Sequence, residues 1–250
     1  RYRGWFRLFV GGYEPVLRSL PHLLQHGVGG EIRNMAAVAQ GSGEISPFDA
    51  APLVARLIER SGRACGSILD VGCGNGQLLC QILERFPGAF GIAADPSATV
   101  LAEARRTISA RGLESRAQLI EGDSFGVPDT KRAPDFILAA FTLQEILGQS
   151  GEDVLVDRMI SASLRWPSAQ WLVVEVDHQP QSEVMHTVYG LGYYNPYFLF
   201  HPLTRQTLLP RQEWIRIFQR VGLTAESVLT ADPAIDPTGL ELGFLLQRTS

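Results

Sequence analysis

The sequence predicts an α/β fold built on a doubly wound, mostly parallel sheet of seven strands. Three observations predict it. Short apolar runs alternate with amphipathic stretches from Ser67 onward, the first run leads directly into a glycine-rich turn, and the last two runs lie close together behind a final helix. The alternation marks βαβ units. The glycine turn marks the ligand end of a first strand, and the closing pair predicts an antiparallel hairpin.

In chain order, strands are predicted at residues 67–71, 90–94, 118–121, 135–140, 171–176, 227–229 and 242–247. Helical periodicity runs over 76–85, 98–110, 153–163 and 211–221, and Gly222 closes the last of these as a C-terminal stop. Residues 1–60 read as a helical extension or lid, with segments at 5–9, 14–24 and 49–60 and glycine breaks at 27–30 and 41–43. The main domain then covers 61–250. Within it, residues 178–210 are rich in Tyr, Phe and Pro and exceed an ordinary loop, so they read as a substrate-pocket insertion.

Composition narrows the partners. Apolar residues are 45% and charged residues 19% of the chain, which excludes a disordered polymer. With a net charge of −4 and no Lys/Arg run, nothing attracts a polyanion, so no nucleic acid partner is expected. Apolar runs such as 136–143 are too short to span a bilayer and no secretory leader is visible, so no membrane partner is expected either. Cys65, Cys73 and Cys80 form neither a disulfide framework nor a metal spacing, which suits a reducing cytoplasm. The apolar start of the chain, with Trp5, Phe6, Leu8, Phe9 and Val10, is compatible with a homodimer.

The strongest chemical signal is Ile68-Leu69-Asp70-Val71-Gly72-Cys73-Gly74-Asn75-Gly76-Gln77. Glycines here let the backbone turn tightly and lie against a ligand without Cβ atoms in the way. A dinucleotide fingerprint wants glycine where Gln77 stands and carries no acid inside the strand, whereas this chain has Asp70. Acidic residues then recur at successive strand ends, Asp70, Asp95 and Asp123. A carboxylate at Asp95 can accept from both hydroxyls of a ribose, Asp123 from an adenine amino group, and Phe125 can pack on the adenine face.

This set resembles the class I S-adenosylmethionine-dependent methyltransferases from Ser67 to the C-terminus. The resemblance implies that Asp70 and Gly72, Gly74 and Gly76 meet the methionine part of the cofactor, Asp95 the ribose, and Asp123 with Ser124 the adenine. The Asn/Asp-Pro-Pro-Tyr turn of enzymes that methylate exocyclic amines is absent after the fourth strand, where the chain reads Ala140-Phe141-Thr142-Leu143-Gln144-Glu145.

A second resemblance concerns the acceptor. Gly11-Gly12-Tyr13-Glu14-Pro15-Val16-Leu17-Arg18, Gly41-Ser42-Gly43-Glu44 and Asn195-Pro196-Tyr197-Phe198-Leu199-Phe200-His201 are similar to the C-methyltransferases that act on α-keto acids, and to methyltransferase domains of polyketide synthases. It implies C-methylation of a small carbonyl acceptor in natural-product biosynthesis. Alternatives are O- or N-methylation with Glu145 or His201 as base, or action on a carrier-bound acyl group. It also implies one metal ion, divalent or ferric, such as iron or manganese, held by Gln144 and His201 with Glu145 adjacent. Gln144 stands where the keto-acid enzymes would offer histidine, which favours a hard ion over zinc. Arg18, Arg33 and Arg205 are candidates for the acceptor carboxylate.

Overall fold

The computed structural model describes residues 2–27, 33–122, 125 and 130–249. Seven strands form one sheet in the order β3-β2-β1-β4-β5-β7-β6. They are β1 Ser67–Val71, β2 Phe90–Asp95, β3 Ala117–Glu121, β4 Phe136–Ala140, β5 Gln170–Val176, β6 Leu223–Thr230 and β7 Glu241–Arg248. The first five are parallel, and β7 runs antiparallel to both β5 and β6. Strands β1, β2 and β5 are buried along their whole length, as strands covered on both faces must be.

The helices are α1 Tyr2–Phe6, α2 Glu14–His26, α3 Met35–Ile45, α4 Ala50–Arg60, α5 Gln77–Arg85, α6 Ala98–Ala110, α7 Leu143–Ser150, α8 Glu152–Arg165, α9 Asn195–Leu203 and α10 Arg211–Val221. One core layer packs α7, α8 and α10 on the sheet around Trp171, Trp214 and Phe244. The opposite layer packs α4, α5 and α6 around Leu53, Leu79 and Phe136. A third cluster joins the N-terminal helices to the 178–210 segment through Tyr13, Val16, Tyr194, Tyr197 and Phe200. It sits above the carboxyl ends of the parallel strands.

Three differences from the sequence reading stand out. Residues 41–43 do not break a helix; they lie inside α3. Gly41 is there because α3 crosses the first helical turns at close range: a Cβ on it would stand 2.6 Å from the backbone nitrogen of Leu8. The segment after β4 is also a helix, α7, entered through Phe141, which holds the left-handed region at φ 55°. Strand β6 is longer than 227–229, because an irregularity between Ala225 and Ser227 disrupts the alternation that the sequence is read by.

The tight crossing makes a direct prediction. Gly41→Ala forces the new methyl against backbone atoms of Leu8 and Gly4. It should destabilise the protein by about 1–3 kcal/mol, the usual cost of overpacking, and calorimetry should show a lowered Tm. An unchanged Tm would mean that α3 does not hold this crossing in solution.

Candidate active site

A cavity of about 630 Å³ opens above the carboxyl ends of β1, β2 and β4 and beneath the N-terminal helices. This is where an open α/β sheet offers a crevice. Its wall falls into two chemically distinct halves.

The first half is the glycine turn. Gly72 and Cys73 donate their amides to the carbonyl of Ala94 at 2.9 and 3.1 Å, which pins the turn to the end of β2. Gly76 closes the turn at φ 74° and starts α5. Asp70 is buried beneath it, and its Oδ2 has no hydrogen-bond partner among the described residues. Burial, reinforced by the charge of Asp95, pushes the Asp70 carboxyl up to about 7. Asp95 accepts from the amides of Gly74 at 3.3 Å and Ser97 at 2.9 Å. Asn75 donates to the Ala39 carbonyl of α3 at 2.9 Å, so α3 roofs this half.

The second half gathers side chains distant in sequence. Gln144, in the first turn of α7, donates from Nε2 to the Tyr197 hydroxyl at 2.8 Å. His201 stacks on Tyr197 with ring centroids 3.5 Å apart, and its Nδ1 meets the Tyr197 carbonyl at 2.7 Å. A carbonyl can only accept, so Nδ1 carries the proton and Nε2 the lone pair. Burial, aided by the charge of Arg33, drives the His201 imidazole down to about 3, so it is neutral. The Tyr13 hydroxyl lies 3.4 Å from that Nε2 and accepts from Gln206 Nε2 at 3.3 Å. Arg33 also bonds Tyr13 and pairs with Glu145 at 2.5 Å, with its own side chain only 2% exposed.

One buried carboxyl orients this half from behind. Glu175, at the end of β5, accepts from the amides of Leu143 at 3.0 Å and Gln144 at 3.3 Å. It thereby caps α7 from another element, where Thr142 supplies no side-chain cap. Burial outweighs these two bonds and raises the Glu175 carboxyl to about 8.

Gln144, Glu145, His201, Asp70, Gly72, Gly74, Asp95 and Phe125 therefore all face one cavity. Phe125 does so while stacked on Trp171 in the core, with centroids 5.9 Å apart. Gly76 does not reach the wall; it packs against Ala104 and serves the turn. Asp123 and Ser124 lie outside the described residues. Of the three arginine candidates the cavity selects Arg33. Arg18 pairs with Glu14 on an exposed face of α2, and Arg205 is exposed. Sequence reading missed Tyr13, Gln206 and Glu175 as site residues; for Tyr13 the Gly-Gly-Tyr-Glu-Pro motif was the available signal. Among the described residues, no group of three or more His, Cys, Asp or Glu side chains is placed to hold a metal. No helix among them is long and apolar enough to cross a membrane.

Known proteins are similar to this chain in sequence and in fold. Residues 68–161 match a family model described as a methyltransferase domain. Over 99% of its length the chain is 38% identical to the 2-ketoarginine methyltransferase of Streptomyces arginensis, covering 72% of that protein. Over 68% of its length it is 31% identical to the indolepyruvate C-methyltransferase of Streptomyces griseus, covering 50% of that one. Among solved structures, an O-methyltransferase from neocarzinostatin biosynthesis, in complex with S-adenosylmethionine and a naphthoic acid, superposes with a TM-score of 0.65 at 16% identity. That match covers 98% of this chain and 72% of the other.

The Glu175 carboxyl makes stability depend on pH. Its folded value of about 8 exceeds the ordinary 4.5, so the folded state holds a proton that the unfolded state has lost within that window. Stability from this group is full below pH 4.5 and is lost as pH rises through 8. Glu175→Gln keeps an oxygen for the two amides and cannot ionise. Its Tm should decline less than wild type between pH 5 and 9, with about 2–4 °C retained per kcal/mol. Parallel declines would show that Glu175 does not titrate in this range.

Proposed function

Because the chain belongs to the S-adenosylmethionine-dependent methyltransferase family that includes 2-ketoarginine methyltransferase, we propose that it methylates the carbon beside the ketone of a small α-keto acid. The observation that carries this reading is the buried Arg33, which faces the cavity beside Glu145 and the Tyr13–His201 pair. A guanidinium so placed suits a carboxylate.

The cofactor fits the first half. Asp70, with a buried and unpartnered oxygen, matches the ammonium of its methionine part, and Asp95 stands where a ribose would take its oxygens. Asp123 and Ser124 are assigned to the adenine by family resemblance alone. Helix α3 and its neighbours act as a lid that keeps water from the reacting atoms.

In the second half, the acceptor carboxylate takes Glu145's place on Arg33. The freed Glu145 carboxylate, steadied by Gln149 at 3.1 Å, accepts the proton from the carbon beside the ketone. The cofactor supplies an electrophilic methyl on a positive sulfur: the carbon's electron pair takes it as the sulfur–methyl bond breaks, leaving S-adenosylhomocysteine. Tyr13 donates toward the ketone oxygen from a position fixed by Gln206 and Arg33. His201, driven by burial down to about 3, is a weak base, so the proton falls to Glu145.

The donor set also fits one hard cation. His201 carries a neutral nitrogen lone pair beside the Tyr13 hydroxyl, with its other nitrogen anchored on a carbonyl, and Gln144 adds a neutral oxygen that accepts from Tyr197. Gln144 and His201 would hold such an ion, which would act as a Lewis acid on the ketone. Two neutral donors do not make a closed zinc site.

Proton exchange tests the carbon chemistry without methyl transfer. With S-adenosylhomocysteine bound, wild type should exchange deuterium into the carbon beside the ketone of an α-keto acid. Glu145→Gln should slow this by at least about 100-fold, and Arg33→Gln should raise KM by about 30-fold or more. Methyl transfer to oxygen or nitrogen without exchange would overturn the reading.

Metal content tests the second element. Protein prepared without chelator or nickel should hold near one equivalent of a transition metal, lost in His201→Ala. The assay should use His22→Ala as background, because His22 and His26 sit one turn apart on exposed α2 and can bind surface ions. Less than a tenth of an equivalent in that background would remove the metal from the mechanism.

A further inference from the structure

Hydrogen-bond polarity along the second half can be traced atom by atom. The Thr204 hydroxyl spends its proton on the carbonyls of Phe200 and His201, both at 3.1 Å, so its oxygen accepts from Gln206 Nε2 at 2.9 Å. That fixes which end of the Gln206 amide is nitrogen, and the same Nε2 donates to the Tyr13 hydroxyl at 3.3 Å. Arg33 donates to the Tyr13 oxygen as well. With both its lone pairs engaged, Tyr13 has one proton left to give, and His201 Nε2 stands 3.4 Å away.

The His201 side of this contact has a fixed polarity too. Its Nδ1 gives its proton to the Tyr197 carbonyl at 2.7 Å, and the neutral ring keeps a lone pair on Nε2. Tyr13 and His201 both line the cavity. One donor and one acceptor therefore stand side by side, and at 3.4 Å the bond that joins them is long and weak. A ligand oxygen beside them gains most when it accepts from Tyr13 and donates to His201 together. A hydroxyl can do both. A ketone only accepts, and toward His201 it sets lone pair against lone pair.

We infer that the Tyr13–His201 pair is a hydroxyl-binding subsite, which takes 2-hydroxy acids and the enol form of a keto acid in preference to the ketone. The inference rests on the α-keto acid reading for the seat of the ligand. Arg33 bonds both Glu145 and Tyr13, so a carboxylate that replaces Glu145 brings the oxygen on its neighbouring carbon to Tyr13. A 2-hydroxy acid has no ketone to acidify its carbon, so it occupies the subsite as an inhibitor. The enol carries its hydroxyl at the same place. Binding it in preference raises the share of bound acceptor in the form whose carbon holds the electron pair for methyl transfer.

Calorimetry on the S-adenosylhomocysteine-bound protein tests this with 2-oxopentanoate, each enantiomer of 2-hydroxypentanoate, and pentanoate. Their short chain makes no demand on the rest of the cavity. The protein is first dialysed against chelator, because an ion on His201 would occupy the same lone pair. One hydroxy enantiomer should bind about 10-fold tighter than the oxo acid, and the oxo acid tighter than pentanoate. Tyr13→Phe should bring the oxo acid down to pentanoate while the hydroxy acid stays ahead of both. His201→Phe should instead make the hydroxy and oxo acids equal, both ahead of pentanoate. A merely structural role of either residue weakens all the ligands alike. An oxo acid that binds as tightly as both hydroxy enantiomers, equal losses in the variants, or no binding by any of these acids would overturn the inference. Deuterium exchange into 2-oxopentanoate is read separately. The expected ranking without exchange supports the subsite and counts against the C-methylation reading, and exchange without the ranking does the reverse.

Discussion

The second half of the cavity depends on one hydrogen-bonded joint, the carboxyl of Glu175 beneath the first turn of α7. A helix that begins right after a buried strand leaves its first amides without partners, and here they point at the end of β5. Glu175 satisfies two of them, and in doing so fixes Gln144 and Glu145 relative to the sheet. The same turn begins at Phe141, whose left-handed backbone is tolerated because its amide bonds the Val174 carbonyl at 2.8 Å. Two adjacent residues of α7 therefore face the cavity from a frame anchored in the core.

From that frame the polar wall grows outward by contact. Gln144 meets Tyr197, Tyr197 stacks on His201, and His201 meets Tyr13, which brings in Gln206 and Arg33. Tyr13 and His201 are 188 positions apart in the chain. Elements from both ends of the chain thus share one buried network of hydrogen-bonded and stacked side chains. Neutral partners dominate its middle and charged ones its two ends, which gives the cavity its direction.

The sheet was legible in the sequence because buried parallel strands and amphipathic helices leave strong periodic signals; α6 matches the expected 98–110 residue for residue. The glycine-turn half was legible for a related reason, since Asp70, the glycines and Asp95 sit within one βαβ unit. Helix α3 was not, because glycine is read as a breaker when it serves close packing. Helix α7 has too few turns to show a period. Glu175 hid in plain view: a carboxylate within an apolar strand has no sequence signature that distinguishes a cap on another element's helix. Arg33 could be named as one of three arginines, but choosing it required the cavity.

Helix α3 presents two constrained faces. On one side Gly41 lies against the backbone of Leu8; on the other, Gly43 lies against Asn75 and Gln77, while Val38, Ala39 and Ser42 line the cavity. Little of this helix is free to drift, since a larger side chain on one face would shift the roof over the cavity. Diversification of the acceptor is easier from the strand end and aromatic segment opposite, where Glu241, Tyr194 and Tyr197 touch the cavity away from the glycine turn. An evolutionary lineage, or a designer, seeking new acceptors has its freedom there and would leave α3 alone.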